Sequence, residues 1–152
     1  MRRSAAYRRP VPETPTEPSR DAALPGLTAC SLCAGETLGE DDPLPGGQLA
    51  RLRAVAGRGA ARLTEVECLD ECERGDVVVA RPSGACRRAG ARPVWFERLA
   101  GERSTAVLEG WLRAGGPGAR PVPPQLSGHV VHRTADAPDA PDATDDVAEP
   151  AR

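Results

Sequence analysis

Four of the chain's five cysteines fall into two close pairs, Cys30 with Cys33 and Cys68 with Cys72. The spacing is C-x2-C, a gap of 34 residues, then C-x3-C. Thiolates set this way suit a metal or cluster site, because four sulfurs from two segments can converge on one inorganic core. Iron–sulfur clusters and structural zinc ask for the same donors, so spacing alone leaves both open. Disulfide exchange at Cys30 and Cys33 is disfavoured. A reactive thiol of that kind sits at a helix N-terminus, whereas here a breaker-rich loop of 13 residues separates Cys33 from Gly47. Such a dithiol would also leave Cys68 and Cys72 without a task.

The remaining chemistry-bearing residues are weaker candidates. Cys86 lies beyond the strand that leaves the second pair and is expected to be a free surface thiol rather than a ligand. His129 and His132 form H-x2-H but do not interleave with the cysteines, and they read as isolated histidines. Trp95 and Trp111 are expected in the core. Six acids, Glu65, Glu67, Asp70, Glu71, Glu73 and Asp76, crowd the second cysteine pair, opposed there by Arg74. Beside an anionic cluster they would make an added electron less welcome and lower the potential; the alternative is a solvated loop face with no such role. No nucleophile elbow, phosphate-binding glycine loop or His/Asp pair with catalytic spacing is found, so a substrate-turnover enzyme is not expected.

The elements that must hold the cysteines follow from the apolar pattern. A strand from Leu24 to Ala29 delivers Cys30. A helix from Gln48 to Ala56 buries Leu49, Leu52 and Val55, points Arg51 and Arg53 outward, and ends at Gly57 and Gly59. Strands follow at Arg62–Glu67, at Val77–Arg81 (the most apolar, hence central) and at Val94–Leu99, with a long turn from Pro82 to Arg92. Ser104 is expected to cap a last helix burying Val107, Leu108, Trp111 and Leu112, which Gly115-Gly116-Pro117 stops. The order predicts an α/β fold, a thioredoxin-like mixed four-stranded sheet with packing helices and disordered N- and C-terminal tails. With the first two strands parallel, both cysteine pairs fall at the same end of the sheet. The expected organisation is a disordered arm at 1–22, the domain at 23–118, an extended segment at 119–133 and an acidic disordered tail at 134–152.

Composition sets outer limits. A chain of 152 residues with net charge −2 has room for one domain, and nothing global argues for nucleic acid or a membrane surface. Its start carries paired arginines without an apolar core behind them, so no export signal is expected. No apolar run approaches the roughly 20 residues of a membrane helix. Unpaired cysteines then point to a reducing, cytoplasmic setting.

The block Cys68-Leu69-Asp70-Glu71-Cys72-Glu73-Arg74-Gly75-Asp76-Val77-Val78-Val79, with Cys30 and Cys33 upstream, resembles the thioredoxin-like [2Fe-2S] ferredoxins, and most of all their bacterial ferredoxin-domain proteins. The resemblance runs over about residues 24–115 and also takes in Arg92-Pro93-Val94-Trp95 and Trp111-Leu112-Arg113-Ala114-Gly115-Gly116-Pro117. It implies that Cys30, Cys33, Cys68 and Cys72 are the four ligands of one [2Fe-2S] cluster. It further implies a one-electron carrier or redox accessory module, a reductase or oxidoreductase as partner, and room for a homodimer. Two features differ. Better-known members set the second cysteine further from the first, and many have proline where Asp76 stands. The reading from a different class is a zinc-stabilised four-cysteine interaction domain without redox activity.

Overall fold

The computed structural model describes residues 23–132, so the expectations for both tails lie outside the described residues. Four strands, β1 (Gly26–Cys30), β2 (Arg62–Val66), β3 (Val78–Arg81) and β4 (Val94–Phe96), form one sheet in the order β2-β1-β3-β4. β1 and β2 are parallel and are joined by helix α1 (Gly47–Gly57). β3 lies antiparallel to both β1 and β4. Three further helices follow: α2 (Gly84–Arg88), α3 (Glu102–Arg113) and α4 (Pro124–Ser127). This is the mixed four-stranded α/β sheet with packing helices that the element order predicts.

Alternation along the strands decides which side chains meet the helices. Leu27 and Ala29 of β1, Val78 and Ala80 of β3, and Phe96 of β4 share one core with Leu52 and Val55 of α1 and Leu108, Trp111 and Leu112 of α3. Phe96 meets Trp111 edge-to-face, with ring centroids 5.9 Å apart. β1 is buried along its whole length, as a central strand must be. The two long helices are also joined through buried polar groups. Gln48 donates to the Thr105 hydroxyl at 3.0 Å and accepts the Gly101 amide at 3.1 Å. One otherwise orphaned amide at the start of α3 is thereby satisfied.

Several local expectations are corrected. The stretch from Pro82 to Arg92 is not a plain turn: Ser83 accepts from the Cys86 amide at 3.4 Å and opens α2. Gly101, not Ser104, precedes α3, and Ser104 lies inside the helix. β4 ends at Phe96 rather than Leu99 because Arg98 turns to φ +51°. Pro124–Ser127 is a helical turn where extended chain was expected, since Leu126 must turn inward to reach the core. Trp95 is half-buried rather than a core residue, because alternation puts it on the face opposite Phe96. No helix among the described residues is long and apolar enough to cross a membrane.

Candidate functional site

Register places the first pair. Cys30 is the last residue of β1 and sits on the same rung as Val66, the last residue of β2. Val78, the first residue of β3, pairs with Ala29 on the other side of β1. β2 and β3 therefore flank β1, and the chain joining them has to pass over its C-terminal end. That connection carries Cys68 and Cys72. Residues 38 positions apart in sequence, Cys30 and Cys68, become neighbours through topology alone.

Both members of the first pair are buried, whereas Cys68 and Cys72 are exposed, and all four are free thiols. The Cys30 thiol donates to the Glu67 carbonyl at 3.0 Å, which ties the end of β1 to the crossing loop. Cys30 and Cys33 interact closely enough for each thiol to shift the other's ionisation. The sulfurs of Cys68 and Cys72 lie 3.3 Å apart, and Cys68 also accepts the Asp70 amide at 3.2 Å. Between the pairs the interaction is electrostatic, Cys72 acting on Cys33 and Cys30 on Cys72. All four residues expected as ligands are thus brought to one end of the sheet, with the Cys68 and Cys72 sulfurs in contact. Among the described residues no group of three His, Cys, Asp or Glu side chains is arranged to hold a single metal ion.

The thiols are not equivalent. Burial pushes the Cys30 thiol up, but hydrogen bonds from the Cys33 thiol and from the backbone of Cys33, Leu32 and Leu69 outweigh it and hold Cys30 below its ordinary value. Cys33 is pushed up by burial first, and then by its bond to Cys30 and the charges of Cys30, Glu36 and Cys72. Cys72 is raised chiefly by its bond to Cys68. A core of positive metal would relieve this by making each thiolate the favoured form.

The acids around the second pair divide by partner. Glu65 is held by Arg53 through two bonds of 2.7 Å, away from the thiols. Glu71 pairs with Arg74 at 2.8 Å, and Arg74 continues to Glu97 at 2.6 Å. Asp76 turns inward, 3% exposed, and accepts the amides of Gly35 and Thr37. Glu67, Asp70 and Glu73 remain exposed.

Three residues escape a reading by spacing. Asp76 stitches the two cysteine loops together. Glu36 adds a charge that acts on Cys33 and Cys72. Gly75, at φ +63°, lets Thr37 approach so closely that a Cβ there would meet its hydroxyl at 3.1 Å. The Gly-Asp dipeptide after the second pair is a turn signal that could have pointed to two of them. Cys86 lies at the other end of the sheet, half-buried, since β3 runs to Arg81 opposite the start of β1. His129 meets the Glu97 carbonyl at 3.1 Å and stays clear of the four thiols' bonding. Comparison of the chain with protein-family models, curated proteins and solved structures finds no match.

Proposed function

We propose that this protein is a one-electron carrier that binds a single [2Fe-2S] cluster through Cys30, Cys33, Cys68 and Cys72. One observation carries the reading: the β2–β3 connection crosses the end of β1, bonds Cys30 through the Glu67 carbonyl, and brings the Cys68 and Cys72 sulfurs, 3.3 Å apart, to the end of the sheet that carries Cys30 and Cys33. The donor set fits the group. A two-iron core takes two thiolates on each metal, so it calls for pairs, whereas one tetrahedral zinc wants four sulfurs mutually about 3.8 Å apart. The resemblance to thioredoxin-like ferredoxins points the same way.

When bound, such a core supplies a site that accepts and releases one electron. The chain's own residues do the rest. Cys30 and Cys33 form the buried side, shielded from water, while Cys68 and Cys72 face solvent. Electron exchange would therefore run through the crossing loop. Leu32, between the first two cysteines, is 74% exposed, and the crossing loop exposes Glu67, Asp70 and Glu73. That combination suits brief docking of a redox partner presenting basic side chains, over roughly 1,200 Å² or less. Free thiols suit a reducing compartment such as the cytoplasm.

Protein purified without oxygen and analysed for iron, zinc and acid-labile sulfide tests the reading. The expected result is two irons and two sulfides per chain, with a brown colour that dithionite bleaches. Colourless protein carrying zinc and no sulfide would overturn it in favour of a structural zinc domain.

A further inference from the structure

We propose that Asp76 is a positioning residue that assembles the four-thiol site before any metal arrives, by clasping the loop after Cys33 to the loop after Cys72. Its purpose rests on the cluster reading above, but the clasp itself is a property of the free chain. The carboxylate is buried, at 3% exposure, and both oxygens are used: one accepts the Gly35 amide, the other the Thr37 amide at 2.8 Å. Its bonds go to backbone, while the Arg51 guanidinium acts on it from further away. A buried charge answered by two amides of one loop holds that loop in a single place, because releasing it strands the charge.

The anchor behind the carboxylate is rigid. The Gly75 carbonyl accepts the Arg98 amide at 2.8 Å, and the Asp76 carbonyl accepts that of Leu99 at 3.4 Å, so the backbone at 75–76 is fixed to the exit of β4. From there the connection runs outward. Gly35, at φ +95°, and Thr37 bracket the turn in which the Glu36 amide bonds the Cys33 carbonyl at 3.3 Å. Cys33 has no strand of its own to hold it; Asp76 supplies that constraint. Asp76 itself sits at φ +41°, a conformation open to Asp, Asn and Gly and closed to proline. A proline at this position would need different backbone and would offer no acceptor. The acid is therefore this chain's own means of fixing the loop.

The full chain stripped of metal decides the matter. Asp76→Asn tolerates the same backbone angle but turns one acceptor into a donor facing an amide. Amide exchange at Gly35 and Thr37, and iodoacetamide labelling of Cys33, should rise roughly tenfold, while exchange at Thr28 and Val79 in the sheet stays unchanged. Asp76→Ala removes both acceptors and should raise the same rates further; if it fails to fold, the Asn variant carries the decision. Unchanged rates at Gly35 and Thr37 overturn the proposal. An equal loss of protection across the sheet overturns it too, since Asp76 would then act on general stability. In protein reconstituted with ferrous iron and sulfide, the visible circular dichroism should differ from that of the unaltered chain more for Ala than for Asn. Failure of the unaltered chain to take up iron and sulfide would sink the cluster reading, and the metal-free exchange rates would still decide the clasp.

Discussion

Cys30 shows how environment sorts chemically identical side chains. Burial alone would leave its thiol hard to ionise, yet four hydrogen bonds reverse the sign, while Cys33, three residues on, is pushed the other way. Metal binding at the proposed site would favour the thiolate form of both. Exposed Cys72 is the proposed ligand to remove. Cys72→Ser should abolish or strongly shift the visible absorption of loaded protein, whereas Cys86→Ser, at the far end of the sheet, should leave the spectrum as it is. Charge makes a second prediction at this scale. Glu71 is partly neutralised by Arg74, so in Asp70→Asn/Glu71→Gln the larger effect comes from Asp70. Removing these charges should raise the midpoint potential, on the order of 20 mV for exposed groups in a high dielectric. A potential that stays put or falls in a voltammetric titration would refute this.

At the scale of elements, the β2–β3 connection does more than join strands. It crosses β1, carries two thiols and Asp76, and is held at its far end by Arg74 between Glu71 and Glu97. It also faces the Cys33 loop at Gly75, where positive φ and the 3.1 Å that an added Cβ would leave to the Thr37 hydroxyl both resist a side chain. Gly75→Ala should therefore cost about 1–2 kcal/mol of stability in urea unfolding. Gly57→Ala, at an open position on α1 with ordinary φ, should be neutral or slightly stabilising. Equal effects from the two substitutions would show that the loops are not in contact at Gly75. The elements were largely legible in advance because their signals are local. Short apolar runs marked the strands, and the i, i+3, i+4 pattern marked Leu52 with Val55 and Leu108 with Leu112. α2 was missed although its signal, Ser83 three residues before Cys86, was present, because flanking Pro82, Gly84 and Gly90 argued for a turn.

Across the whole molecule, ion pairs fasten helices to one another and make stability depend on pH. Glu109 of α3 receives Arg58, just past α1, at 2.9 and 2.5 Å, and Arg113 at 2.8 Å. Those bonds hold its carboxyl at about 2, against an ordinary 4.5. A folded value below the unfolded one means the contribution is complete above pH 4.5 and is lost as pH falls toward 2. The thermal midpoint of the unaltered protein should fall across that window, and Glu109→Gln should flatten the fall. Parallel pH profiles for the two proteins would show that Glu109 does not drive it.

The amino-acid sequence by itself determined the donor types, the two thiol pairs and the end of the sheet to which they belong. Each of these rests on spacing within a few residues or on the rule that parallel strands end together. Only the tertiary structure decided which groups meet across the gap between the pairs. Asp76 reaches Gly35 and Thr37, Glu65 is drawn off to Arg53, and Gln48 rather than Ser104 serves the start of α3. An acidic side chain reads the same in sequence whether it faces water, an arginine or a pair of amides. What distinguishes those fates is the nonlocal approach of two loops, set by the strand order β2-β1-β3-β4, and no window along the chain contains it.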